Sequence, residues 1–282
     1  MALFEAFTAA SWWWNATTLE QVLFRPPPFF VKEQHPKWWL RSYPNKETKL
    51  TPVLVYYLHG TSETLESVAP VLDRIGRLLS LHSEVVMAAP EYPGYRCNAV
   101  TTEASVKSEC LATLEMVVRR FPRHRLILVG YSLGGGFATW LAARSHASVC
   151  SDSSKVISGY RVEALILVAT FRSVADLLQD YRWWVSIQGE WKYVLNNQDL
   201  LSALPPRMPV IVLHGGRDVL ISQEHAQALY RASVSEHKRL VILAAARHAI
   251  EDFVEAIVAA ILSTNKTERV LSRGVTEKKS ES

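Results

Sequence analysis

Apolar runs alternate with amphipathic stretches through most of the chain. The runs hold four to six residues and are dominated by valine, leucine, isoleucine and alanine, which is typical of strands buried on both faces of a sheet. They are Val53–Leu58, Val85–Ala89, Leu126–Val129, Ala164–Ala169, Val210–Leu213 and Leu240–Leu243. Between them, apolar residues recur three or four positions apart, which is the spacing of one helix face.

This spacing predicts helices over residues 64–79, 102–121 and 222–232, another directly after Gly134, and a last one that aligns Ile250 with Ile261. Buried strands that alternate with helices predict parallel strands joined by right-handed crossovers. The sequence therefore predicts an α/β domain whose mostly parallel central sheet carries helices on both faces.

The two ends of the chain differ from this alternating part in composition. Residues 1–45 contain five of the nine tryptophans, and residues 264–282 are polar and charged. We therefore predict an aromatic-rich N-terminal extension over 1–45, an α/β domain over 46–263 and a disordered tail over 264–282.

The N-terminal extension has two interpretations. Clustered tryptophan and phenylalanine with scattered charge are typical of segments that contact a membrane interface, and such rings also occur in partner-binding segments. The alternative is that the rings pack on the surface of the domain and the segment adds edge strands. For residues 1–19 both interpretations stay open, and for residues 20–45 the pattern favours packing on the domain.

A longer interval separates two of the predicted strands. Residues 171–206 contain Trp183, Trp184 and Trp191, and they follow one buried strand and precede another. We predict a small lid or pocket wall here, and an ordinary crossover helix is the alternative for any single tryptophan. The serine-rich stretch 145–159 predicts a surface loop.

Composition narrows the classes of function. A net charge of +4 over 282 residues is too small for a dedicated nucleic-acid surface and permits weak attraction to an anionic membrane. The three cysteines form no metal-binding or redox spacing, so we expect no metal or organic cofactor. Sparse cysteines and the lack of a membrane-length apolar run indicate a cytoplasmic protein, with peripheral membrane contact left open.

The stretch Gly130-Tyr131-Ser132-Leu133-Gly134 lies between a predicted strand and a predicted helix. Strand, Gly-x-Ser-x-Gly and helix form the context of a nucleophile elbow, in which a strained turn exposes the serine hydroxyl. A glycine-rich strand-to-helix turn or a dinucleotide-binding loop would be the alternative. The context favours Ser132 as a nucleophile.

Other polar residues follow different predicted strands directly, among them Asp218 and His248. Because the carboxyl ends of parallel strands meet at one edge of a sheet, we expect them to lie near Ser132. A serine needs a base to take its proton, and a carboxylate then fixes the imidazole tautomer. The chain order Ser132, Asp218, His248 is the order that this architecture requires.

Each of these roles has an alternative. Asp218 could instead cap the helix that follows it, and Asp176, Asp180 and Glu251 are weaker candidates for the acid. His248 could be an ordinary loop histidine, although it lies between the last predicted strand and the last helix. We interpret two other histidines, His214 and His225, as structural.

Two backbone N–H groups are candidates for stabilising the developing oxyanion. That of Leu133 begins the helix after the serine, and that of Thr61 follows His59-Gly60 at the end of the first predicted strand. Backbone donors do not depend on side-chain type, so Ser62 is an alternative to Thr61.

These motifs together resemble the α/β-hydrolases, and more narrowly the α/β-hydrolase-domain proteins that include membrane-associated protein depalmitoylases. The similarity runs from about Phe24 to Ile261 and includes Leu23-Phe24-Arg25-Pro26-Pro27, His59-Gly60, Glu91-Tyr92-Pro93-Gly94-Tyr95, the serine motif, His214-Gly215-Gly216-Arg217-Asp218 and His248. The resemblance implies the α/β-hydrolase fold with a small lid. It also implies hydrolysis of an acyl ester or thioester, with Ser132 as nucleophile, Asp218 as orienting acid and His248 as general base.

The chain departs from that family in several places. Arg247 stands directly before the histidine where relatives usually carry glycine, and the loop after Tyr95 reads Arg-Cys-Asn. Residues 1–45 hold no cysteine, so we do not expect the acylated N-terminus of the depalmitoylases here. Insertion of the aromatic N-terminus into a membrane interface could replace it.

We therefore expect a serine hydrolase of the esterase or thioesterase type that acts on a small-molecule, lipid or acylated-protein substrate. A serine peptidase of the same fold would use the same residues. Two further alternatives need no catalysis by these residues. They are a non-catalytic α/β-hydrolase-like binding protein and an interaction protein organised by the tryptophan-rich N-terminus.

Overall fold

A computed structural model describes residues 37–48, 50–61, 63–95, 101–147, 160–180 and 195–277, with side chains as far as residue 265. The aromatic segment 1–19, most of the serine-rich loop 145–159 and the tryptophans of the predicted lid lie outside the described residues. The predictions made for them therefore stay predictions.

The described residues form seven strands and seven α-helices. The strands are Trp38–Tyr43 (β1), Val53–Leu58 (β2), Val85–Pro90 (β3), Arg125–Tyr131 (β4), Val162–Val168 (β5), Val210–Gly215 (β6) and Lys238–Leu243 (β7). The helices are Leu65–Ser80 (α1), Glu103–Arg120 (α2), Leu133–Ala147 (α3), Val174–Asp180 (α4), Asn197–Ser202 (α5), Gln223–Ala232 (α6) and Val254–Glu277 (α7), and a 3-10 turn at Ile250–Phe253 precedes the last.

The strands form one sheet in the order β1-β3-β2-β4-β5-β6-β7. The pairing of β1 with β3 is antiparallel, and the other pairs in the described sheet are parallel. The predicted mostly parallel central sheet is confirmed. Because β2, β4, β5, β6 and β7 run in the same direction, their carboxyl ends share one edge.

Helices cover both faces of this sheet. Successive residues of β2 illustrate the reason, since Leu54 and Tyr56 pack into one apolar core and Val55 and Tyr57 pack into the other. Helices α2, α3 and α6 contribute to the first core, and α1 and α7 contribute to the second. Among the helices described, none combines the length and the hydropathy needed to span a bilayer.

Two of the described elements extend past the predicted domain boundaries. The sheet already includes Trp38–Tyr43, so the domain begins before residue 46, and β1 is an edge strand of the kind predicted within residues 20–45. The backbone of the last helix continues to Glu277, past the predicted start of the tail at residue 264. Thr264 itself is buried, and its hydroxyl donates to the carbonyl of Ile261 within this helix.

Candidate active site

Ser132 lies on the turn between β4 and α3, with a backbone φ of 51°. This left-handed conformation is unfavourable for a residue with a side chain and persists only where neighbouring groups hold it. The N–H of Ser132 donates to the carbonyl of Val168 at 2.9 Å. Its carbonyl accepts from the N–H of Gly135 at 3.0 Å and from the hydroxyl of Thr170 at 2.7 Å. Bonds on both sides therefore hold the strained turn.

The glycines around Ser132 allow two backbones to approach closely. A Cβ atom at Gly134 would lie 2.0 Å from the carbonyl oxygen of Leu58, at the end of β2. A Cβ atom at Gly130 would lie 2.5 Å from the carbonyl oxygen of Gly134. Only glycine fits at these two positions, so the N-terminus of α3 can pack directly against the loop that leaves β2.

The structure brings together the three side chains that the sequence pointed to. The Nε2 atom of His248 lies 3.0 Å from the Oγ atom of Ser132, and its Nδ1 atom lies 2.7 Å from the Oδ2 atom of Asp218. The side chain of Asp218 is fully buried and that of His248 is 10% exposed. The serine hydroxyl can donate to His248, and the imidazole can donate in turn to the carboxylate of Asp218.

Hydrogen bonds fix the carboxylate of Asp218. Its Oδ1 atom accepts from the N–H groups of Leu220 and Ile221, each at 2.9 Å. Burial raises the pKa of Asp218, but the hydrogen bond and charge of His248 and these two N–H groups outweigh burial, and the net pKa is lowered. Helix α6 begins five residues further on with Ser222 as its N-cap, so Asp218 does not cap it.

His214 is buried beside this carboxylate. Its Nε2–H donates to the carbonyl of Ile221 at 2.9 Å, and the same nitrogen lies 3.7 Å from the Oδ2 atom of Asp218. Burial lowers the pKa of His214, which favours the neutral ring. His214 therefore supports the loop that carries Asp218, in keeping with the structural role that the sequence indicated.

The other candidate acids have different partners. Asp180 lies 2.8 Å from the Nε2 atom of His225, and Asp176 accepts from the hydroxyl of Ser173. Glu251 is exposed on the turn before α7. None of these carboxylates contacts the His248 ring by a hydrogen bond in the described residues.

Arg247 does not disturb the site. Its backbone N–H donates to the Oδ2 atom of Asp252 at 2.8 Å, and its Nε atom lies 3.4 Å from the same oxygen. The side chain is 72% exposed. The bulky cation is thus held at the surface, and the contact between His248 and Ser132 forms in its presence.

The two predicted oxyanion donors lie on adjoining segments. Leu133 is the first residue of α3, and Thr61 directly follows Gly60 in the loop after β2. The N–H groups of Leu133 and Thr61 have no hydrogen-bond partner among the described residues, whereas those of Gly60 and Glu63 do. Ser62, the alternative donor, lies outside the described residues.

Two carboxylates near this loop were missed by the sequence reasoning. The Oε2 atom of Glu63 accepts from the N–H of Gly60 at 2.6 Å. The Oε2 atom of Glu91 accepts from the N–H of Leu65 at 3.0 Å, and its Oε1 atom lies 3.2 Å from the Nε2 atom of buried His59. Glu91 belongs to a motif that carries the resemblance, but nothing in the pattern indicated its partner. No group of three or more metal-ligating side chains occurs in the part of the chain that the structure describes.

No family model matches the chain. Solved structures do resemble it. A monoacylglycerol lipase from Paleococcus ferrophilus is 14% identical, with a TM-score of 0.55 over 81% of this chain and 100% of the lipase. The esterase domain of a Rhodothermus marinus protein is 15% identical, with a TM-score of 0.53 over 82% of this chain and 98% of the domain. A hydrolase from Pseudomonas aeruginosa is 18% identical, with a TM-score of 0.51 over 80% of this chain and 93% of the hydrolase.

At these identities the likeness concerns the fold alone, and the narrower resemblance to depalmitoylases stays a prediction. The order of strands, the antiparallel first strand and the helices on both faces agree with the fold of these hydrolases. The chain has the α/β-hydrolase fold.

Proposed function

We propose that this protein is a serine hydrolase that cleaves acyl ester or thioester bonds through an acyl-enzyme intermediate. The observation that carries the proposal is the continuous contact from Ser132 through His248 to Asp218, at 3.0 Å and 2.7 Å. The names of its structural neighbours, a monoacylglycerol lipase and an esterase domain, favour ester chemistry over peptide cleavage.

In the first half of the reaction, the hydroxyl of Ser132 attacks the acyl carbonyl while the imidazole of His248 takes its proton. The carboxylate of Asp218, whose pKa is lowered, stays ionised and stabilises the imidazolium. The N–H groups of Leu133 and Thr61 stabilise the negative oxygen of the tetrahedral intermediate. The intermediate then expels the alcohol or thiol, which leaves with the proton from His248.

Water completes the cycle. It loses a proton to His248 and attacks the acyl group on Ser132, and the second intermediate releases the carboxylic acid while the proton returns to the serine oxygen. An apolar acyl chain is the proposed substrate half, on the basis of the aromatic residues within 181–193, which lie outside the described residues. The acceptor can be a lipid, a small alcohol or a protein thiol.

A fluorophosphonate probe tests the proposal, because it phosphonylates an activated serine. The wild-type protein is expected to be labelled, and Ser132→Ala is expected to lose the label. Ser202→Ala is a matched control, since Ser202 is an exposed serine whose hydroxyl donates to the carbonyl of Asp199. An unlabelled wild-type protein, or equal labelling of Ser132→Ala, would contradict the hydrolase assignment.

The substrate class needs a second measurement. Turnover of p-nitrophenyl esters and acyl thioesters of increasing chain length should be compared with turnover of a peptide amide. We expect ester and thioester cleavage to exceed amide cleavage and to rise with acyl-chain length. Faster cleavage of the peptide would instead favour the peptidase alternative.

A further inference from the structure

Glu63 is a half-buried carboxylate that the mechanism above does not use. Its Oε2 atom accepts from the N–H of Gly60 at 2.6 Å, and the hydroxyl of Tyr57 lies 3.5 Å from the same oxygen. Burial raises the pKa of Glu63, and the N–H of Gly60 opposes part of that rise. Among the described residues, the two hydrogen-bonding partners of this side chain, Gly60 and Tyr57, belong to the loop that leaves β2 and to β2 itself.

The bonds around Gly60 fix two successive peptide planes. The peptide that joins His59 to Gly60 is held from both sides, because its N–H donates to Glu63 and its carbonyl accepts from the hydroxyl of Tyr92 at 2.9 Å. The next peptide joins Gly60 to Thr61. Its carbonyl accepts from the N–H of Glu63 at 3.3 Å and from the Nδ1–H of His59 at 2.9 Å.

The N–H of Thr61 belongs to that second peptide. Since a peptide unit is planar and trans, its N–H points opposite to its carbonyl. The carbonyl of Gly60 is directed toward Glu63 and His59, so the same bonds set the direction of the Thr61 N–H. That N–H has no partner among the described residues and is the proposed donor to the oxyanion.

The loop has little room to adapt. A Cβ atom at Gly60 would lie 3.1 Å from the ring of Tyr131 and 3.3 Å from the Oε2 atom of Glu63. The ring of Tyr131 in turn faces the ring of His248, with centroids 5.3 Å apart. Gly60 is therefore confined between the Glu63 carboxylate and a ring that contacts the general base.

We propose that Glu63 is a positioning residue for oxyanion stabilisation: its side chain and backbone hold the peptides on either side of Gly60, so that the N–H of Thr61 is aimed at the reacting carbonyl. This inference rests on the proposed function. It assigns Glu63 no contact with the substrate. Its effect should therefore appear in the transition state more strongly than in substrate binding.

Two substitutions separate the hydrogen bond from the charge. Glu63→Gln keeps an oxygen that can accept from Gly60, and Glu63→Leu removes the acceptor at similar volume. Misplacing a catalytic donor by about 1 Å can cost on the order of 100-fold, so Glu63→Leu is expected to lower kcat by roughly 10- to 100-fold. KM should change by less than about threefold, and Glu63→Gln should recover most of the lost kcat.

A trifluoromethyl ketone that forms a tetrahedral adduct with the serine gives a second readout. Its inhibition constant is expected to rise in parallel with the loss of kcat/KM in Glu63→Leu, whereas a purely stabilising role would move only the unfolding midpoint. Glu255→Gln is the matched control, because Glu255 lies on the exposed surface of α7 and pairs with Arg74. Glu255→Gln should leave the inhibition constant, kcat/KM and the unfolding midpoint unchanged.

The outcomes distinguish this inference from the proposed function. If the wild-type protein is not labelled by a fluorophosphonate, the hydrolase assignment itself fails. If it is labelled and Glu63→Leu keeps kcat and the inhibition constant within about twofold, the positioning role is wrong. Should Glu63→Leu not fold, Glu63→Asp decides, since the shorter side chain cannot keep the 2.6 Å contact and an unchanged kcat would overturn the role.

Discussion

The backbone of Ser132 is strained, and the hydrogen bonds that hold it do not involve the side-chain hydroxyl. The three hydrogen bonds that hold its left-handed conformation all involve its own N–H or carbonyl. Removal of the hydroxyl therefore leaves the turn intact. Ser132→Ala is thus a clean probe of chemistry, because its loss of labelling would not reflect a collapsed turn.

At the residue scale, the clearest prediction concerns Asp218. In Asp218→Asn, the remaining side-chain oxygen is expected to keep accepting from Leu220 and Ile221, so that the amide NH₂ group faces the Nδ1 atom of His248. The imidazole would then place its proton on Nε2 and could not accept the proton of Ser132. We expect kcat to fall by about 10⁴-fold with little change in KM.

Steady-state kinetics on an activated ester measures this effect, and circular dichroism verifies the fold. Asp73→Asn is a suitable control, because Asp73 lies on α1 and bonds to β1. A loss of less than about tenfold in Asp218→Asn would mean that the 2.7 Å contact does not set the tautomer of His248.

At the element scale, a charged cluster attaches the edge strand β1 to helix α1. The carboxylate of Asp73 accepts from the hydroxyl of Tyr43 at 2.8 Å, from Arg77 at 2.7 Å and from Arg41. These three partners lower the pKa of Asp73 to about 2, from an ordinary value of 3.8. The ionised carboxylate therefore favours the folded state.

The sign of this linkage gives a pH prediction. A carboxyl group whose pKa is lowered in the folded state stabilises it at pH values above the unfolded pKa, and that contribution is lost as the pH falls through the folded pKa. The wild-type protein should thus exceed Asp73→Asn in unfolding free energy at neutral pH. The difference should shrink as the pH falls from 3.8 to about 2.

Urea unfolding of both proteins across that range measures the difference. A difference that stays constant with pH would show that the ionised form of Asp73 is not what attaches β1 to α1.

The pattern of apolar residues predicted the elements well but placed some ends too early. Strand β4 was predicted over Leu126–Val129 and spans Arg125–Tyr131, because backbone pairing with β5 continues past the apolar run. Helix α1 was predicted over 64–79 and spans Leu65–Ser80, where a capping box between Thr64 and Ser67 sets its start. Side-chain periodicity indicates which face is buried, whereas hydrogen bonds decide where an element ends.

At the scale of the whole molecule, the sheet has a second polar cluster at the end opposite the candidate site. Arg125 begins β4 and is only 4% exposed. Its guanidinium pairs with Glu163 on β5 at 2.7 Å and bonds to the side chains of Thr264 and Asn265 on α7. It thereby connects two central strands to the last helix.

Replacing this cation should affect stability without affecting the chemistry. Arg125→Met leaves the partly buried carboxylate of Glu163 without its cation, so we expect a loss of about 2–3 kcal/mol in unfolding free energy. Because Arg125 and Ser132 lie at opposite ends of β4, kcat at a temperature well below unfolding should stay within about twofold.

Chemical denaturation and ester kinetics on the same preparation test both halves of this prediction. The double variant Arg125→Met/Glu163→Met serves as a comparison, since removing both charges should restore part of the stability. A large fall in kcat at unchanged stability would contradict the separation of the cluster from the site.

The sequence by itself determined the α/β alternation, the glycine-lined turn at Ser132 and the chain order of the three candidate catalytic side chains. It did so because the spacing of buried residues along a strand or helix, and the need for glycine where backbones approach closely, can be recognised within a short stretch of sequence. Only the tertiary structure decided that Ser132 and His248 meet across 116 positions, that the Glu63 carboxylate bonds to the N–H of Gly60, and that the backbone of the last helix continues past Ile261. Such contacts depend on strand order and loop conformation, which no single stretch of residues specifies.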